Sequence, residues 1–343
     1  MKRPNAIVLG AVGASLLVFL CIVFFVFWMP NEYGPSGVVV TIPRGSTFRA
    51  AVDSLERTGA IRSAWAFNVA GRLAGYTRSI KVGKYLFRSS LSNLEILRDL
   101  GEGKSRMIIA VTIPEGWRME SIAKKFSREL GIDSEKFLSF CADSLFLSRH
   151  NMKAKNIEGY LMPETYNFYW QTDELEIFER MVEGMQDFYV DSLSERAKEL
   201  GLSMNQVLTL ASIIEGESGI DEERPMIAGV YWNRLKRGMK LEADPTIQYV
   251  IPNGPRRLMY DDLKFRSPYN TYLVTGLPPG PINNPGKRAI LAALYPERHS
   301  FLYFVATGVG GHHFSKNYSD HRKAVQSFRR VRRELQHQSA QGG

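Results

Sequence analysis

GVVVTIPRGSTFRAAVDSLERTGAI, residues 37–61, is the stretch whose reading decides how this chain folds. Residues 38–42 are a β-branched run of strand length, 43–45 a turn, and 47–57 an amphipathic helix. A related stretch returns at 111–132 as VTIPEGWRMESIAKKFSRELGI, with TIPxG repeated at an offset of 71 residues, Thr41 to Thr112. Each copy runs on into a second helical segment and later reaches a Tyr-Leu pair, in GKYLF (83–87) and EGYLMPETY (158–166). The pattern predicts a diverged duplication of a strand–helix–helix–strand unit, and therefore a mixed α+β fold.

Toward the N-terminus, residues 6–29 read AIVLGAVGASLLVFLCIVFFVFWM without a charge. At 1.5 Å per residue this is long enough to cross a hydrocarbon core of about 30 Å. Lys2 and Arg3 precede it, and Glu32 is the first charge after it. Basic flanks stay inside, so 1–5 is expected in the cytoplasm and everything after Pro30 outside it. A cleaved signal peptide is the competing reading, but its apolar core spans only about 7–15 residues. Bulky Phe, Trp and Met also stand where a cleavage site needs small side chains. Pro30, Gly34 and Pro35 mark 30–37 as a linker. Of the two cysteines, Cys21 lies in the apolar segment and Cys141 stands alone beyond it. The exported part therefore has no disulfide framework and relies on its core.

The chain has 343 residues, 44% hydrophobic and 23% charged, enough for two or three cored domains. A net charge of +9 favours anionic partners or reflects an ordinary basic surface. Export removes nucleic acid from that set. From about Glu174 the pattern turns helical through three segments, ending with ERPMIAGVYWNRLKRG. Residues 241–286 are dense in Pro, Gly and Asn, too long for a plain connection, and expected to be functional or well packed. An Ala/Leu-rich helix from Lys287, a strand-like SFLYFVAT, a glycine turn and a basic helix around RKAVQSFRRVRREL follow. Residues 336–343 read as a disordered tail.

Several familiar sites fail on spacing. GEGKS (101–105) lacks the first P-loop glycine, which would fall at Arg98. GVGGHHF has no helix opening behind its glycines, and His312 and His313, being adjacent, point apart on a strand. Neither HExxH, a cysteine cluster nor GxSxG occurs, so no metal and no cofactor are expected. LTLASIIEGES is the stretch that carries chemistry. Val207, Leu210, Ala211 and Ile214 mark one helical face, with Glu215 and Glu217 on opposite shoulders, about 160° apart. Gly216 between them marks a loosening or ending of the helix. A carboxyl at the end of a buried helix loses solvation and gains pKa, as a general acid requires. Periodicity does not choose between the two glutamates, nor exclude that both sit on a solvated face.

ASIIEGES, ERPMIAGVYWNRLKRGMKLEADPTIQY and SPYNTYLVTGLPPGPINNPG resemble the endolytic murein transglycosylase family, YceG-like or MltG-type. EGYLMPETY and the TIPxG segment resemble its upstream part, so the likeness covers nearly the whole chain in order. The resemblance implies a lyase that cuts the MurNAc–GlcNAc β-1,4 bond within peptidoglycan strands and leaves 1,6-anhydro-MurNAc ends. Its catalytic glutamate directly precedes Ser or Thr, a pattern met by Glu217–Ser218 and not by Glu215–Gly216. Glu164, Tyr166, Asp244, Gln248, Asn270 and Tyr272 are the candidates for lining the sugar cleft. The implied domains are an anchor at 6–29, a small LysM-like α/β module at 38–106 and a mixed, largely helical catalytic domain at 107–335. The implied setting is the bacterial cytoplasmic membrane, with glycan strands as substrate, glycan-polymerising synthases as partners and a role in ending strand growth. A glycan hydrolase pairing Glu217 with Glu164 or Asp244, and a non-enzymatic wall-binding scaffold, are the alternatives.

Overall fold

The computed structural model describes residues 6–150, 152 and 154–341. The expected cytoplasmic residues 1–5 lie outside these, as do 342 and 343. Helix α1 (Ala6–Phe27) rises about 33 Å at 1.5 Å per residue and is apolar enough to cross a membrane. The chain divides into two compact units. Among the described residues, the first comprises those within 6–111, 128–132 and 167–173, and the second those within 112–127, 133–166 and 174–341.

The first unit continues with β1 (Pro30–Asn31), β2 (Val38–Ile42), α2 (Phe48–Arg57), α3 (Ala64–Leu73), β3 (Gly83–Phe87), β4 (Leu91–Ser92) and α4 (Asn93–Glu102). β2 and β3 pair antiparallel with Val40 opposite Tyr85. Alternation turns Val40 and Ile42 inward from one strand and Tyr85 and Phe87 from the other. Ala51, Val52 and Leu55 of α2 and Ile96, Leu97 and Leu100 of α4 close the core over them. The helices start where short polar side chains cap them: Thr47, Ser63 and Ser92 each accept the backbone N–H of the residue three positions on. The expected linker is tied in at its start. β1 pairs with β4, and buried Asn31 donates to Leu91 O at 2.9 Å and to Asn93 Oδ1 at 3.1 Å. Asn31 is a polar residue whose hydrogen bonds are met only by staying folded, which composition alone did not reveal.

The second copy of the repeat runs β5 (Ile108–Thr112), α5 (Met119–Leu130), α6 (Ser134–Phe140), an additional α7 (Ser144–Arg149) and β6 (Thr165–Tyr169), with β5 beside β6. α2 starts at Phe48 and α5 at Met119, the same 71-residue offset as the motif. Gly45 and Gly116 occupy matching places with φ of +78° and +73°, where a side chain would be strained. One expected correspondence fails. Tyr85 and Leu86 lie in β3, whereas Tyr160 and Leu161 lie in a turn and the strand comes later, at Thr165–Tyr169. The turn is fixed by hydrogen bonds to Asn284, which strand pairing would preclude.

Beyond β6 come α8 (Glu174–Phe188), α9 (Ser192–Glu199), α10 (Met204–Glu217), α11 (Arg224–Lys236), α12 (Asp244–Val250), α13 (Lys287–Leu294), the hairpin β7 (Tyr303–Ala306) and β8 (His312–Ser315), and α14 (Tyr318–Gln341). The final helix runs through most of the tail expected to be disordered, the backbone staying helical to Gln341. α10 is the hub of this unit: every residue from Val207 to Ile214 is buried, with α11, α12 and α13 around it. A helix buried all round shows no clean amphipathic stripe. The Pro/Gly/Asn-rich stretch 241–286 is packed rather than loose, with Asn270, Thr271, Asn283 and Asn284 all buried.

Asn284 fastens three segments. Its Oδ1 accepts from Gly159 N at 2.9 Å and Leu161 N at 3.1 Å, and its Nδ2 donates to Trp117 O and to Glu158 Oε1. Glu158 is buried, and desolvation, with the charge of Glu120, lifts its pKa to about 8. Between the ordinary value of 4.5 and 8, the unfolded chain is ionised there while the folded chain stays protonated. Stability therefore falls as pH rises through that window. Glu158→Gln keeps the acceptor and removes the titration. Urea denaturation should show the variant losing less stability from pH 4.5 to 8, by roughly 1–3 kcal/mol. Parallel profiles for the two proteins would show that Glu158 does not carry the effect.

Candidate active site

The site is built on the C-terminal end of α10. Ser203 starts the helix with a capping box to Gln206, and Glu217 is its last residue. Gly216 stands one residue before the helix ends at Glu217, in line with the ending expected there. Its role is space: a Cβ there would lie 2.7 Å from Cβ of Pro245, so only glycine lets α12 close against α10.

The two glutamates of the sequence stretch have different surroundings. Glu215 is buried beside Arg224, their side chains 6% and 5% exposed. The guanidinium binds it through two hydrogen bonds, Nη2 to Oε1 at 2.7 Å and Nη1 to Oε2 at 3.2 Å. Gly286 N donates to Oε2 at 3.0 Å. Glu115, from the second TIPxG motif, and Asp221 stand 3.6 and 3.4 Å from the same arginine. Such a carboxylate is fully occupied.

Glu217 instead lines a cleft of about 480 Å³ with Tyr231, Arg234, Glu242, Asp244 and Tyr272. Tyr231, buried on α11, donates its hydroxyl to Glu217 Oε1 at 2.5 Å. Desolvation raises the Glu217 pKa to about 7, the Tyr231 hydrogen bond opposing the rise and the negative charge of Asp244 adding to it. Asp244 accepts a 2.6 Å hydrogen bond from the Tyr272 hydroxyl. Arg234 is fixed by Leu241 O and Leu302 O, both at 2.7 Å, and lies 3.4 Å from Glu242. The opposite wall is aromatic and imidazole: Tyr303 and Phe304 on β7, His312 on β8, and Tyr318 and His321 on α14. His321 stacks on Tyr303 at 5.2 Å, and His312 is paired with Glu223 at 2.7 Å. A cavity of about 620 Å³ lies along β7, β8 and α14, but its sole acid, Asp320, is bound by Asn317. Size alone would select that cavity, whereas the acid with a raised pKa selects the cleft.

Of the residues expected at the site, Glu217, Asp244 and Tyr272 come together in the cleft. The other four are used elsewhere. Glu164 pairs with Lys287 at 2.6 Å, and Tyr166 donates to Met162 O at 2.6 Å. Gln248 brackets the backbone of Arg256, and Asn270 donates to Leu263 O and Phe265 O while accepting from Tyr272 N. Asn270 thereby orders the loop that carries Tyr272. Tyr231 and Arg234 were missed, although a signal existed: with Ile227 they fall at spacing 0, 4 and 7 on one face of α11. The aromatic wall had no local signal, because its residues lie about 70 or more positions from α11.

The model of the YceG-like family matches residues 40–327. An endolytic murein transglycosylase of Bacillus subtilis (strain 168) is 32% identical over 305 residues, 85% of this chain and 84% of that protein. One from Streptococcus pneumoniae serotype 2 is 30% identical over 84% of this chain, which spans 58% of that longer protein. The crystal structure of a yceG-like protein of Listeria monocytogenes, 31% identical, superimposes with a TM-score of 0.60 over 84% of this chain and 99% of its own. With the family's pattern matched across most of its length, the chain belongs to the YceG-like family.

Proposed function

We propose that this protein is a membrane-anchored endolytic lytic transglycosylase that cuts the MurNAc–GlcNAc β-1,4 bond of peptidoglycan, with Glu217 as acid and then base. The observation that carries the reading is a carboxyl with a pKa of about 7, hydrogen-bonded by Tyr231 on the wall of a cleft faced with aromatic rings. The names of the relatives point to the same chemistry. Protonated Glu217 gives its proton to the glycosidic oxygen as the bond from that oxygen to the MurNAc anomeric carbon breaks. The resulting carboxylate takes the proton of the sugar's own 6-hydroxyl, whose oxygen closes on the anomeric carbon. The anhydro ring forms, Glu217 is protonated again, and no water enters. The attacking group is tethered, which supplies the proximity advantage of an intramolecular step. Tyr231 holds Oε1, leaving Oε2 to meet substrate, and steadies the carboxylate between the two transfers.

A hydrolase would need a second carboxylate to activate water. Asp244 shares the cleft, so product chemistry is the discriminating measurement. α1 supports a single-pass anchor with its N-terminus inside and the rest of the chain outside the membrane. The β2–α2–α3–β3 unit fits a LysM-like glycan-binding module, and cutting nascent strands beside their synthases would end strand growth.

Digested sacculi should yield 1,6-anhydro-MurNAc ends by mass spectrometry, and Glu217→Gln should lower the rate by at least about a thousandfold. Reducing ends would sink the lyase in favour of the hydrolase. Solubilisation by the variant at wild-type rate would remove Glu217 from the mechanism, and an inactive wild type would leave a scaffold. The rate should also decline as pH rises through about 7, as the acid is lost. Tyr231→Phe removes a bond that favours the ionised form, so that limb should move to higher pH with a lower maximum. Asp244→Asn removes a charge that favours the protonated form, so the limb should move to lower pH. Shifts of the same sign would contradict these assignments.

A further inference from the structure

Helix α1 ends inside the core of the first unit and not at a free hinge. Val26 is buried in that core, and Phe27 packs against it. The carbonyl of Val26 would ordinarily accept from the residue four positions on, but that residue is Pro30, which has no N–H. Asn93 supplies the missing donor: its Nδ2, buried at the start of α4, lies 2.9 Å from Val26 O. Its Oδ1 accepts from Asn31 at 3.1 Å, so both sides of the junction are fastened to one residue. Beside this junction α1 and α3 enclose an apolar groove of about 380 Å³. It is lined by Leu17, Val18, Cys21, Ile22 and Phe25 of α1 and by Trp65 of α3. The five α1 residues fall at spacing 0, 1, 4, 5 and 8, on one helical face. Trp65 is 62% exposed, and Trp28, three residues after Phe25, is also exposed. A hydrocarbon core of about 30 Å takes about 20 helical residues, which counted from Ala6 end at Phe25. The stretch from Leu17 to Phe25 rises about 12 Å and falls in the half of that crossing nearer the first unit.

We propose that this groove is a lipid seat. It takes an acyl chain of a phospholipid in the extracytoplasmic leaflet, while Trp65 and Trp28 rest at the membrane–water interface. The inference rests on the single-pass reading of α1 above and adds that α3 enters the bilayer surface beside it. The occupant follows from continuity: five of the six lining residues belong to the helix that the anchor reading immerses in hydrocarbon. An indole suits that boundary, with its ring in the apolar phase and its N–H toward the headgroups. With α1 bonded into the core and Trp65 as a second footing, the first unit stands at one height and one tilt over the bilayer. A flexible linker at 30–37 would impose neither.

The test uses the full-length protein at low density in vesicles of phosphatidylethanolamine and phosphatidylglycerol, with a nitroxide at one of three positions. These are the native Cys21 in Cys141→Ser, and Trp65→Cys or Lys198→Cys in a background of Cys21→Ser and Cys141→Ser. Lys198 is an exposed residue of α9 and serves as the aqueous reference. A water-soluble nickel complex should relax the labels at Cys21 and Trp65→Cys at least about fivefold less than the label at Lys198→Cys. Shielding at Cys21 with full access at Trp65→Cys overturns the seat and leaves the anchor standing. Full access at Cys21 discards both. Magnetic broadening between labels at Trp65→Cys would put a second copy of the chain in the groove and overturn the lipid as its occupant. The native side chain gives an independent readout, which needs no label. Phospholipids brominated along their acyl chains should quench a larger share of the tryptophan emission in the wild type than in Trp65→Phe. Equal shares overturn the seat.

Discussion

A carboxyl that keeps its proton near neutral pH must be kept from water, yet an enzyme acting on a polymer must leave that carboxyl within reach of a long strand. Under the proposed function, the C-terminal end of α10 reconciles the two demands. Its body is buried on every side from Val207 to Ile214, and Ser212 anchors it by accepting from Ile282 N at 3.0 Å. Its last residue emerges into a cleft, with Tyr231 as its hydrogen-bond partner. The helix carries no basic residue in its last turn, so nothing there draws Glu217 into an ion pair. Desolvation outweighs the Tyr231 hydrogen bond, and the pKa rises.

Placing two carboxyls at one helix end creates a second problem, since like charges in a shared low-dielectric site oppose each other. Arg224 answers it by neutralising Glu215, with the Gly286 amide completing the set. At Gly286 a Cβ would lie 1.9 Å from Cδ of Glu115, so a side chain there would displace that carboxyl from beside Arg224. Glu215 thereby becomes a structural ion pair. The cost of burying such a pair is offset as far as its hydrogen bonds are made: Nη1 and Nη2 of Arg224 are bonded to Glu215, while the buried Nε, 3.4 Å from Asp221, has no hydrogen-bond partner among the described residues.

The repeat was legible because its signals are local. A β-branched run, a TIPxG turn and an amphipathic helix declare themselves within about 20 residues, and the helix starts recur at the motif's own offset. The anchor-length helix was legible for the same reason. The choice between Glu215 and Glu217 was not, since periodicity gives an angle around a helix and not the identity of what lies on each side. That depends on Arg224 and Tyr231, nine and fourteen residues further on. Asn270 and Gln248, expected to line the cleft, bond the backbone of neighbouring loops, which residue type could not show because amide side chains suit ligands and backbone equally well.

The duplicated motif shows how one turn can be put to two uses. The variable residue of TIPxG is Arg44 in the first copy and Glu115 in the second. Arg44 donates through its backbone amide to the side chain of Gln171 and through Nη2 to the Gln171 carbonyl at 2.9 Å, holding a loop whose central residue has a φ of 56°. Glu115 lies 3.6 Å from Arg224, and Trp117 and Arg118 follow directly. Gly116 donates its amide to Asn284 O at 2.8 Å, so the second turn is bound to the segment that also carries Gly286. A single charge reversal at one motif position thus separates a turn that braces the first unit from one that belongs to the surroundings of Arg224. With the glycine and helix start retained, the backbone of the turn is constrained while its variable side chain is free to acquire a different electrostatic partner.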